Sequence, residues 1–86
     1  MIRSMELRDL ARIIELESNL FSHPWTEEAF VYELTQNPFS SYWVMERDEC
    51  VIAYCGAWLS GDQAQITTLG VDAHFQGNGY AKELIQ

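Results

Sequence analysis

Three strand-like runs follow one another almost without interruption: Ser41–Arg47, Cys50–Leu59 and Gln63–Val71. Asp48-Glu49 joins the first pair and Ser60-Gly61-Asp62 the second. Connections this short bring neighbouring strands together antiparallel, because a parallel crossover needs a dozen or more residues. The runs are rich in β-branched and aromatic side chains, as half-buried strands are. An antiparallel meander is therefore the frame on which the rest of the chain must pack.

Two amphipathic segments precede it. Leu7, Leu10, Ala11, Ile13, Ile14, Leu16, Leu20 and Phe21 recur at helical spacing, with Arg8, Arg12, Glu15 and Ser18 on the other side, which predicts a helix over 6–21. Ser22-His23-Pro24 breaks it, since proline disfavours helix in the residue before it. Thr26 is suited to cap a second helix over 27–36, with Glu27 and Glu28 in its first turn and Ala29, Phe30 and Leu34 buried. Asn37-Pro38 ends that helix, and residues 1–3 are read as a short first strand. The acidic residues of both helices are read as a solvated face. The fold class predicted is α+β, as one domain over residues 1–86.

Composition narrows the function. The chain has 86 residues and a net charge of −8, so no basic surface for nucleic acid is expected. No apolar run approaches the ~20 residues that span a bilayer. No apolar segment follows the N-terminus as a signal peptide requires, so a soluble cytoplasmic protein is expected, with no membrane partner. Cys50 and Cys55 fall five apart in one strand, on opposite faces, and are read as reduced thiols. With His23 and His74 they match no metal-site spacing, so no metal is expected. Residues 51–86 hold a single base, Lys82. Any anion bound by that half must be held by backbone groups.

Such groups are on offer after the third strand. Gly77 and Gly79 stand between Val71 and a final segment, Lys82–Gln86, that reads as a helix barely begun. Glycine permits positive φ, so the loop can turn several N–H groups toward one point. The helix adds its unpaired first-turn N–H groups and the positive end of its dipole. Strand, glycine loop and helix make a phosphate or pyrophosphate site. There is no Walker A sequence. The dinucleotide pattern G-x-G-x-x-G half matches, but Lys82 stands where its third glycine belongs. The pattern Q/R-x-x-G-x-G/A is met by Gln76, Gly79 and Ala81.

With Ala64–Asp72 and Phe75–Gly79 around it, that pattern resembles the central strand and pyrophosphate loop of the GNAT superfamily of N-acetyltransferases. The first half is similar to its RimI-type branch, which acetylates a ribosomal protein's N-terminal alanine, through Ile2-Arg3, Met5, Asp9-Leu10, Ile13, Phe21, Pro24–Phe30, Glu33-Leu34 and Asn37-Pro38. The resemblance covers the whole chain and implies the N-terminal part of a domain completed beyond Gln86. It implies acetyl-CoA as cosubstrate, its pantetheine arm on the backbone of Leu69, Gly70 and Val71, where Gly70 marks a bulge-prone end. The pyrophosphate would lie on Gln76, Gly77, Asn78, Gly79, Tyr80 and Ala81. A backbone N–H near Leu69 would polarise the thioester carbonyl, where negative charge develops.

A neutral amine attacks directly in this family, with a glutamate base and a tyrosine acid on the portion after Gln86. Glu46 and Tyr54 are of the right types at positions that do not match, so no catalytic residue is assigned. Trp25, on the loop that borders the family's acceptor site, and Thr67 or Thr68 are the candidates to touch the acceptor. Successive strand residues face opposite ways, so only one threonine is expected to do so. Phe30, Trp43 and Trp58 are read as core, and His74 as an exposed loop residue. Gln76 is expected to brace the loop. The acceptor implied is a protein N-terminal α-amine. Two other readings stay open: a small amine as acceptor, or a non-catalytic CoA-binding half that a second copy or complementing chain completes.

Overall fold

The computed structural model describes residues 1–85. In chain order it contains β1 (Ile2–Ser4), a 3₁₀ turn (Leu7–Asp9), α1 (Leu10–Leu20), α2 (Glu27–Thr35), β2 (Ser40–Arg47), β3 (Cys50–Ser60), β4 (Gln63–Val71), a second 3₁₀ turn (Ala73–Phe75) and α3 (Tyr80–Leu84). The strands form one antiparallel sheet in the order β1-β2-β3-β4. The meander follows from its tight turns. Asp48 and Glu49 take φ of 53° and 65° and Gly61 takes 61°, the left-handed conformations that match a hairpin turn to strand twist.

The first helix starts later than its periodicity suggests. Glu6 and Asp9 form a capping box around the 3₁₀ turn, and α-helix begins at Leu10. Asp9 is buried, and the Arg3 guanidinium grips both its oxygens at 2.8 Å. That bond, against the opposing effect of burial, holds the Asp9 carboxyl below its ordinary pKa. Leu7 is left exposed in this turn. Thr26 caps α2 as expected, its Oγ1 accepting from Ala29 N–H at 3.2 Å.

The sheet is covered on both faces. On one, Leu10, Ile13 and Leu16 of α1 and Phe30 of α2 pack on Tyr42, Val44, Val51 and Tyr54. On the other, Leu84 of α3 packs with Met45, Ile52, Ala53 and Cys55, flanked by Trp43, Leu69, Val71 and Phe75. Burial pushes the Cys55 thiol up to about 11, and both cysteines are free. No described helix is long and apolar enough to cross a membrane.

Two helix residues read as solvated depart from that expectation, and so does an arginine. Glu17 and Glu33 are 1% and 5% exposed. Arg12 bridges α1 to the sheet, donating from Nε to Val51 O at 2.9 Å and from Nη2 to Asp72 Oδ2 at 2.6 Å. Trp58 also departs from the core reading: it is 43% exposed, with its indole N–H turned in to Glu33.

Candidate functional site

The glycine loop has the shape that its residues predict. Gly77 and Gly79 take φ of +86° and +78°, conformations open to glycine and strained for other residues. A Cβ on either would meet nothing within 4 Å, so nothing is packed against the loop at these two positions. Among the described residues, no protein acceptor takes the N–H groups of Gly77, Asn78, Gly79, Tyr80 or Ala81. α3 begins at Tyr80, two residues earlier than the sequence suggests, so Tyr80 and Ala81 belong to its first turn. Gln76 braces the loop, Nε2 donating to Val71 O at 3.0 Å, and Asn78 Nδ2 does the same to Phe75 O at 3.0 Å. Tyr80 is tied to Arg47 through its hydroxyl.

Asp72 sets where the loop leaves the sheet. Its carboxylate accepts from His74 N–H at 2.9 Å and from Arg12, and its own N–H donates to Ile52 O at 2.8 Å. The backbone bond from His74, aided by the His74 ring and Arg12 and opposed by burial, holds the Asp72 carboxyl down at about 2. The His74 side chain is 89% exposed, as the sequence suggests, and its Nδ1 stands 2.9 Å from Asp72 Oδ1.

β4 differs from expectation in two places. The bulge is not at its C-terminal end: Gly56 pairs with Thr68 and Ala57 with Ile66, so Thr67 is the extra residue. Gly70 pairs regularly with Tyr54, and the close neighbour that requires glycine there is the Tyr54 side chain, its Oη 2.6 Å and its ring 2.7 Å from where a Cβ would lie. The bulge also cancels the alternation of the two threonines. Thr67 Oγ1 lies 3.0 Å from Tyr42 Oη and Thr68 Oγ1 donates to Glu17 Oε2 at 2.9 Å, both toward the α1–α2 face.

There they line an open groove of about 490 Å³, walled by Thr67, Thr68 and Leu69 of β4 and by Phe21, His23 and Trp25 of the α1–α2 loop, with Glu17 behind. Trp25 is half-buried against Phe30, ring centroids 5.2 Å apart. Leu69 thus borders this groove, although it packs with Val71 on the α3 face, and Val71 O, two residues on, accepts from Gln76 of the glycine loop. The outer edge of β4 runs between the two and pairs with no other strand among the described residues.

Glu17 and Glu33 were not anticipated as site residues. Glu17 accepts from Trp25 N–H at 2.9 Å, from Thr68 and from the Tyr54 hydroxyl. Glu33 accepts from Asn37 Nδ2 and Tyr42 Oη, both at 2.9 Å, and from the Trp58 indole. Burial pushes the Glu33 carboxyl up, but these three donors outweigh it and hold it below its ordinary value. Burial first, and then the partner glutamate, push both tyrosine hydroxyls well up. The signal was present: Leu10, Ile13, Ile14, Glu17 and Leu20 fall three or four apart, so Glu17 lies in the apolar stripe of α1. A charge in that stripe is buried and must be paired.

A meander with two helices on one face, a third on the other, and a glycine loop leading into that third helix places the chain among acyl-CoA N-acyltransferase folds. The sequence matches the acetyltransferase (GNAT) family over residues 10–86, and the chain belongs to that family. It is 35% identical over 85 residues to a Bacillus subtilis (strain 168) protein that is by name a candidate [ribosomal protein bS18]-alanine N-acetyltransferase, covering 99% of this chain and 56% of that one. The ribosomal-protein-S18-alanine N-acetyltransferase of Escherichia coli superposes with a TM-score of 0.87 at 22% identity, over 99% of this chain and 54% of that one. The PaiA N-acetyltransferase of Thermoplasma acidophilum, solved in complex with coenzyme A, gives 0.84 at 15% identity, over 99% and 66%. The chain spans about half the length of the first two relatives. At these identities the two solved structures bear on fold alone.

Proposed function

We propose that this chain carries the acetyl-CoA-binding part of an N-acetyltransferase that moves an acetyl group to a primary amine, with the α-amine of a protein N-terminus, of the ribosomal-protein alanine type, as acceptor. The observation that carries the reading is the run of N–H groups from Gly77 to Ala81 that meets no protein acceptor among the described residues, in a loop with nothing packed against it at Gly77 and Gly79. Such a run suits a pyrophosphate, since converging amides hold an anion without side-chain charge. Acetyl-CoA would supply the activated acetyl group as a thioester. The backbone of Leu69, Gly70 and Val71 would hold its pantetheine arm, and the groove at Trp25, Thr67 and Thr68 would hold the amine.

Glu46 and Tyr54, the base and acid types singled out in the sequence, are not placed to carry the proton transfers. Glu46 is ion-paired with Arg3, Tyr54 is fully buried on Glu17, and neither lines the groove. A second reading, a CoA-binding half completed by another chain or a second copy, is favoured by the unpaired outer edge of β4.

Release of free CoA from acetyl-CoA, measured with alanine-terminated peptides and with small amines such as polyamines, tests the proposal. Peptide-dependent release is expected. Release with small amines alone would overturn the acceptor class. Calorimetric binding of acetyl-CoA without release on any acceptor would support the half-domain reading.

A further inference from the structure

We propose that Glu17 and Glu33 are positioning residues that fix the hydroxyls of Thr68 and Thr67 as hydrogen-bond acceptors, so that the β4 wall of the groove recognises an N–H donor, the amine of the acceptor. The proposal rests on the acetyl-transfer reading and names what that site recognises.

The argument is a count of protons. A hydroxyl has one proton and two acceptor lone pairs, and a carboxylate only accepts. Thr68 Oγ1 lies 2.9 Å from Glu17 Oε2, so the threonine donates there. Tyr42 Oη lies 2.9 Å from Glu33 Oε1 and 3.0 Å from Thr67 Oγ1. Its one proton goes to Glu33, because otherwise two lone-pair oxygens would face each other at that distance. Thr67 therefore supplies the proton of the second bond. The remaining donors on the two carboxylates are Trp25 N–H and the Tyr54 hydroxyl on Glu17, and Asn37 and Trp58 on Glu33. The three nitrogens only donate; the Tyr54 oxygen is also within reach of the Thr68 hydroxyl, and a proton given there in place of Glu17 is directed inward all the same.

Both threonine protons are thus directed inward, and any further bond that either hydroxyl makes is one in which it accepts. Thr67 and Thr68 are adjacent and on the same face because of the bulge at Thr67, and both line the groove. Two adjacent acceptors match the N–H bonds of an amine. They reject a carbonyl or carboxylate, which would bring lone pairs against lone pairs. Glu33 reaches the groove only through Tyr42 and Thr67, and Glu17, buried behind the wall, acts on it through Thr68, which makes both positioning residues.

The experiment compares calorimetric binding of a short peptide with a free N-terminal alanine and its des-amino analogue, with amide NMR shifts of Thr67, Thr68 and Leu69 as the location readout. The free amine is expected to bind at least about tenfold tighter than the des-amino peptide. Thr68→Val should abolish that difference, and Thr68→Ser should restore it to within about threefold. Glu17→Gln should reduce the preference while acetyl-CoA affinity is unchanged. The Thr68 pair carries the test where substitution of buried Glu17 disturbs the fold. Equal binding of the two peptides, or an unaltered preference in Thr68→Val, would overturn the proposal. Acetyl-CoA affinity of the same samples keeps the two readings separate: its absence from the parent chain sinks acetyl transfer, whereas the peptide comparison judges only the threonine wall.

Discussion

The ring of Tyr42 fills the space that a side chain at Gly56 would need, with its Cε2 only 2.2 Å from where a Cβ would stand. Tyr54 repeats the relationship over Gly70, one strand further along. In both cases the tyrosine and glycine are cross-strand partners, and the hydroxyl continues to a glutamate from the covering helix. The glycines let two aromatic rings lie low enough under α1 and α2 to tie strand, helix and groove together.

Gly56→Ala and Gly70→Ala are therefore expected to destabilise the fold by about 1–3 kcal/mol each, through overpacking against the ring. Urea titration checks this. Gly61→Ala is a useful contrast, because its Cβ would meet nothing and only its φ of +61° opposes substitution. Equal, small effects at all three positions would contradict the packing account.

Asp72 should make stability depend on acid. Its folded pKa, about 2, lies below the ordinary 3.8, so its contribution is fully present above about pH 4 and is lost as pH falls toward 2. Asp72→Asn is expected to lower stability at neutral pH and to flatten the decline in that window. Denaturant titrations from pH 7 to 2 would show it. The decline should not vanish, because Asp9 also has a lowered pKa. Parallel curves for the two proteins would contradict the assignment.

α3 covers only Tyr80–Leu84, too short to persist by its own hydrogen bonds. Leu84 burial and the bond from Trp43 Nε1 to Leu84 O, at 2.7 Å, hold it against the sheet. Trp43→Phe is expected to cost about 1–2 kcal/mol. It should also speed amide hydrogen exchange in 80–84 more than in β2 and β3. Uniform acceleration across the chain would mean that the indole bond has no local role.

Much of this architecture was legible because it rests on local rules. Pro24, Pro38 and Thr26 punctuate the helices as read, and the short turns dictate the meander. Gly77 and Gly79 have the positive φ that their loop demands. What was missed depends on partners distant in sequence. The register offset at Thr67 arises from pairing with β3, so strict alternation misassigned the two threonines. Gly70 reads as a bulge-prone end because the Tyr54 ring, sixteen residues earlier, cannot be placed from the sequence. Glu17 and Glu33 were assigned to solvent on residue type, although the stripe around Glu17 argued otherwise.

The most direct measurement is an acetyl-CoA titration of the isotopically labelled chain, followed by amide NMR, with Gly79→Trp as control. Saturable shifts centred on the Gly77–Ala81 amides and extending to Leu69–Val71 are expected, and none of them in the control. Saturable binding that leaves Gly77–Ala81 unshifted, or that survives Gly79→Trp with unchanged affinity, would contradict the backbone-held anion site.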